Sequence, residues 1–190
     1  MKPCRWLGLA LTLLIFAATA HGVITAPYPL KQFMERSDYV VMAKVTSFDA
    51  QNKRMILTVT EDIKGKPTFR QVPVLLEGEK DKNRDHPAAL MKRLATDLPV
   101  MMFILHKKEN NSFTTYVFSN GTWFELKGNG NGMEAGVWDL THGEPYLRRT
   151  FKGTTEELRK MIVQNVAGTY KLPGVNEKEA PGFGPEVPQK

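Results

Sequence analysis

The chain has 190 residues, with 26 Lys and Arg against 20 Asp and Glu, 42% hydrophobic residues and one cysteine. That length suits one domain with a substantial core and is short for two, and a formal charge of +6 is too mild to imply a polyanion, so nucleic acid is not expected as a partner. A lone cysteine rules out an intramolecular disulfide, and the absence of any Cys-x-x-Cys rules out a thiolate metal cluster.

Lys2 and Arg5 precede an apolar run from Trp6 to Ala18 that closes on Ala18-Thr19-Ala20. A charged start, an apolar stretch and a small-x-small triplet predict a cleavable secretory signal peptide over residues 1–20, with His21 as the mature first residue. The run is shorter than the ~20 residues needed to cross a bilayer. A secreted or periplasmic product with no membrane span after cleavage is therefore expected. Cys4 would leave with the leader, so the domain expected over 21–170 must hold together by burial alone.

Leu30, Phe33 and Met34 recur at helical spacing, predicting a short helix to Arg36. Tyr39 to Phe48 and Arg54 to Ile63 read as strands joined by a turn at Asp49 to Lys53. Arg70 to Glu77 predicts a third strand, which Pro73 assigns to an edge or a bulge. The charged stretch from Glu79 to Asp85 predicts a solvated loop. Pro87 then opens a helix ending by Thr96-Asp97, with Leu90, Met91 and Leu94 on its apolar side. Leu98 to His106 predicts a buried strand and Phe113 to Phe118 its hairpin partner. Thr122 to Leu126 continues the sheet, Lys127 to Gly132 predicts a flexible turn, and Gly136 to Leu140 a further short strand. Thr154 and Glu157 form a capping box for a last helix carrying Leu158, Met161, Ile162 and Val166 and ended by Gly168. Pro173, Pro181, Pro185 and Pro188, among glycines and charges, predict a disordered tail over 171–190.

Three strands, a helix and two more strands is the order of an OB-fold, so the expected class is mainly β with peripheral α: a five- to six-stranded OB-like Greek-key barrel with a C-terminal helix. Ser37-Asp38-Tyr39-Val40-Val41-Met42-Ala43-Lys44-Val45, Glu61-Asp62-Ile63-Lys64-Gly65 and Leu98-Pro99-Val100-Met101-Met102-Phe103 carry a further likeness. With these segments the chain resembles small exported bacterial proteins with an OB-like barrel, distantly similar in plan to the domain shared by netrins and the tissue inhibitors of metalloproteases. Those inhibitors use an N-terminal cysteine and several disulfides, which this chain lacks. The resemblance therefore implies an architecture and a binding role, and not protease inhibition.

The motifs of serine hydrolases, nucleotide-binding loops and zinc fingers are missing. His21-Gly22 at the expected mature terminus would place an α-amine beside an imidazole, a pair that chelates copper. In this it is similar to the copper polysaccharide monooxygenases, whose mature chains also begin His-Gly. His86, His106 and His142 are the candidate second ligands, and a copper-binding protein or copper oxidoreductase is the alternative function. Trp123, Trp138 and Tyr146 are candidates for stacking on a glycan or extended ligand, although tryptophan on the strands of a barrel without disulfides more often belongs to the core. Asn110-Asn111-Ser112 and Asn120-Gly121-Thr122 fit glycosylation sequons. The expected function is an exported, non-enzymatic binding or accessory module for an extracytoplasmic protein or glycan. A component of envelope assembly, engaging its partner through an edge strand, is a further alternative.

Overall fold

The computed structural model describes residues 28–78, 80–81, 84–131 and 134–179. The expected leader, His21 and residues 180–190 lie outside them. In chain order the elements are α1 (Leu30–Arg36), β1 (Tyr39–Asp49), β2 (Arg54–Lys64), β3 (Gln71–Leu75), a two-residue hairpin of β4 (Lys80–Asp81) and β5 (Arg84–Asp85), and α2 (His86–Met91). Then follow β6 (Pro99–Lys107), β7 (Ser112–Ser119), β8 (Thr122–Asn131), β9 (Glu134–Ala135), β10 (Trp138–Gly143), a 3-10 helix (Pro145–Arg149) and α3 (Thr155–Val166).

The sheet runs β10-β3-β2-β1-β6-β7-β8, and β10 also pairs with β8, so seven strands close into a barrel, with β9 attached to β8 alone. Seven replaces the expected five or six because β8 and β10 both join the wall. Neighbouring strands are antiparallel except β10 and β3, which run parallel and meet at only Trp138↔Val74 and Asp139↔Leu75. Pro73 stands next to that seam, where a missing N–H costs least. Three register shifts between β1 and β2 supply the local bends that let a small sheet curl shut.

Side-chain alternation sorts the wall into two cores. Val41, Ala43, Val45, Val100, Met102, Ile104, Val117, Phe124, Leu126 and Trp138 fill the barrel. On the outer face Val40, Met42, Met101, Phe103, Phe118 and Trp123 are covered by Leu30, Phe33 and Met34 of α1, Leu158 and Ile162 of α3, Leu147 and Leu172. This second layer explains why β1 and β6 read as continuous apolar runs: both of their faces are buried.

Polar contacts fasten the outer layer. Lys64 Nζ donates to the carbonyls of Met34 and Ser37 at the end of α1. The capping box of Thr154 and Glu157 starts α3, and Thr155 exchanges hydrogen bonds with Asn120 at the β7–β8 turn. Arg159 reaches Glu61 of β2 with both Nε and Nη2, at 2.7 and 3.0 Å. Gly168 N–H donates to Asn165 O and Thr169 N–H to Gln164 O, closing α3.

Several local expectations are corrected. Of the turn expected from Lys127 to Gly132, the described part, Lys127 to Asn131, is strand, the end of β8; a Cβ at Gly128 would overlap the Trp138 indole and one at Gly130 would lie 2.6 Å from the Phe113 ring. The glycines are there so that two aromatic rings can lie against the strand backbone. The second helix stops at Met91, yet Leu94 is buried from the following turn. Asp85, read as part of a solvated loop, caps that helix by accepting from Ala88 N–H at 3.0 Å. Val166, placed on the apolar stripe of α3, is half exposed. In the first part of the expected tail, Leu172 is buried, Asn176 N–H donates to Arg149 O, and Glu179 pairs with Lys152 at 2.8 Å. Among the described residues no helix is long and apolar enough to cross a membrane.

Candidate functional site

On β8 the inward residues Phe124 and Leu126 alternate with the outward Trp123 and Glu125. Glu125 faces Tyr116 on β7 and His142 on β10, so a row of polar side chains crosses three strands on the outer wall. The β8–β10 register slips between Leu140 and His142, leaving Thr141 and His142 together opposite Glu125. Such a bulge re-aims side chains. Here it brings Thr141 Oγ1 to 3.1 Å from Glu125 Oε1. Glu144, two residues past His142, falls on the same side, and its N–H is tied to Trp123 O at 2.8 Å.

The resulting cluster is compact. Lys127 Nζ is 2.9 Å from Glu125 Oε1, and His142 Nε2 is 2.6 Å from Glu144 Oε1. One ligand atom each from Glu125, His142 and Glu144 lie within 4.8 Å of one another. Glu125 and Glu144 are 5% and 8% exposed, an unusual depth for two neighbouring carboxylates. The Phe33 ring stands edge-on to Tyr116 at 4.9 Å, and a small pocket beside it is lined by Tyr28, Gln32, Phe33, Arg36, Leu105 and Tyr116.

The electrostatics follow from that burial. The hydrogen bond to Glu144 raises the His142 pKa above its ordinary value; burial opposes this, and the negative charges of Glu144 and Glu125 reinforce it. Burial, then the charges of Glu125 and Glu144, push the Tyr116 phenol well above the usual tyrosine value. A neutral phenol beside two carboxylates is a hydrogen-bond donor held in place.

Of the residues singled out from sequence, only His142 belongs to this cluster. His86 accepts the Gly143 N–H on its Nδ1 at 2.9 Å, which commits that nitrogen to the main chain. His106 Nε2 is 2.8 Å from Asn111 Oδ1, and its ring stacks on Phe113. His21 lies outside the described residues. Trp123 and Trp138 are 1% and 0% exposed. Trp123 clusters with Phe33 and Phe103, the three rings mutually in contact, and donates its N–H to Phe151 O at 2.8 Å; Trp138 stacks on Phe113 inside the barrel. Tyr146 is 39% exposed, with the Arg149 guanidinium over its ring.

Sequence reasoning missed Tyr116, Glu125, Lys127, Thr141 and Glu144. Two signals were present: an acid at the outward period of the apolar run Trp123-Phe124-Glu125-Leu126, and a His-x-Glu pair whose two side chains share a face on an extended strand. No protein-family model, no curated protein and no solved structure matches this chain.

Proposed function

We propose that the chain is an exported, non-enzymatic binding module, engaging its ligand on the outer barrel wall through Tyr116, Glu125, His142 and Glu144. The observation that carries this reading is two nearly buried carboxylates converging with an imidazole, Glu125 on the doubly paired β8, His142 on β10 and Glu144 just past the end of β10. Burying like charges side by side is costly, and a cost of that kind is commonly retained for function. The order β1–β3, α2, β6–β7 supports an OB-like plan, to which β8 and β10 add the surface that bears the cluster. Export rests on the leader read from sequence.

Thermal unfolding in metal-free buffer tests the reading. A Glu125→Gln/His142→Gln/Glu144→Gln variant should match or exceed the parent in stability, since the cluster is kept for binding. A loss above about 3 kcal/mol, the scale of a broken buried ion pair, would make it an architectural network and overturn the reading.

One observation favours a second reading, docking of another extracytoplasmic protein. A groove of about 400 Å³ is lined by Ile56, Pro73, Leu75 and Val137 among others, and Val137 is 53% exposed. A photo-cross-linker at Val137 in exporting cells should then give a discrete adduct that a Leu75→Asp variant loses; no adduct would remove this reading.

A further inference from the structure

We propose that Glu125, His142 and Glu144 form a three-ligand site for a divalent ion of the zinc class, with the fourth position open to solvent or to a partner's ligand. The inference deepens the binding reading above and rests on it. Three observations converge.

The first is geometry. Zinc holds its ligands at ~2.0–2.2 Å in a tetrahedron, so donors around it stand a little over 3 Å apart. The three donors lie within 4.8 Å of one another, a gap that small side-chain rotations close. The bulge at Thr141 is what makes this possible, because regular pairing would leave one outward residue opposite Glu125 instead of two.

The second is the chemistry of the set. One imidazole nitrogen and two carboxylate oxygens suit a borderline ion. Copper(I) prefers soft sulfur ligands, while calcium and magnesium prefer shells made wholly of oxygen, without imidazole. The cluster offers neither.

The third is the support around the ligands and how the charge is balanced. Thr141 Oγ1 holds Glu125, and Tyr116 faces it from the next strand, the kind of outer partner that orients a metal-bound carboxylate. Lys127 occupies Glu125 Oε1 in this structure, but its side chain is 57% exposed. It can swing into water, leaving a single divalent charge to serve both carboxylates from one point.

The test is calorimetric titration of the exported protein, stripped with chelator, using ZnCl2, with Co2+ absorption as a second probe. One equivalent should bind with micromolar or tighter affinity, and Co2+ should give the strong visible bands of a four- or five-coordinate ion. Glu144→Gln and His142→Gln should each weaken zinc by at least about tenfold with unchanged far-UV dichroism. Lys127→Met should bind zinc equally or more tightly, an outcome that a purely structural ion pair would not produce. Absence of zinc binding in the parent protein overturns the proposal, as does undiminished binding in the triple glutamine variant, which would place the metal elsewhere. Should zinc fail to bind while the triple variant remains fully stable, the metal inference falls and the binding reading stands. Should the triple variant unfold, the binding reading falls and the metal inference falls with it.

Discussion

Gly128 shows how a residue that looks like punctuation can be a packing element. Its missing side chain is where the Trp138 indole lies, so Gly128→Ala forces the ring or the strand to shift. Urea denaturation should show a loss of about 1–3 kcal/mol, typical of overpacking. Gly174, with nothing near the position of an added Cβ, should tolerate alanine within about 0.5 kcal/mol. Trp138→Ala should cost about 3–5 kcal/mol through loss of the ring that stacks on Phe113. Glycine, tryptophan and asparagine in this stretch are individually ambiguous. Only the pairing of β8 with β10, a contact set by the closed barrel, shows that glycine 128 answers tryptophan 138.

α3 was legible because its signals are local. Thr154 and Glu157 satisfy one another's backbone N–H groups, and Thr154→Ala should lower stability by about 1 kcal/mol, readable as a shift in the urea midpoint. The strands β1, β2, β6 and β7 were legible from β-branched and apolar runs to within a residue or two. β8 was not, because its second half is rich in glycine and asparagine, which locally favour a turn and are held extended only by neighbours on both sides. The Asp62–Arg70 pair ties β2 to the start of β3, with Nη1 2.7 Å from Oδ1. Its hydrogen bond from Arg70 holds the Asp62 pKa below the ordinary aspartate value, burial opposing. Folding lowers this pKa, so the stabilisation is complete above the unfolded value of about 3.9 and is lost as pH falls through the lower folded value. Asp62→Asn should accordingly unfold at lower urea than the parent at pH 7, and the gap between the two midpoints should narrow as pH falls below about 3.9.

The barrel is closed at its weakest joint, the parallel meeting of β10 with β3 at two register positions. β6 pairs with β7 from Met101↔Phe118 to Lys107↔Ser112 and is covered on both faces. Native-state hydrogen exchange should therefore find the amides of Trp138 to Leu140 less protected than those of Val100 to Ile104; equal protection would mean that the seam opens only with the whole fold. Most strands and the helix caps were readable along the chain, since each depends on residues within a few positions of one another. The count of strands, the assignment of Trp123 and Trp138 to two separate cores, and the meeting of Glu125, His142 and Glu144 were decided by closure. Period-two alternation says which residues share a face. It does not say which strand lies opposite, where the register slips, or whether the outer face is wet, and those three facts turn an isolated glutamate and a scattered histidine into neighbours.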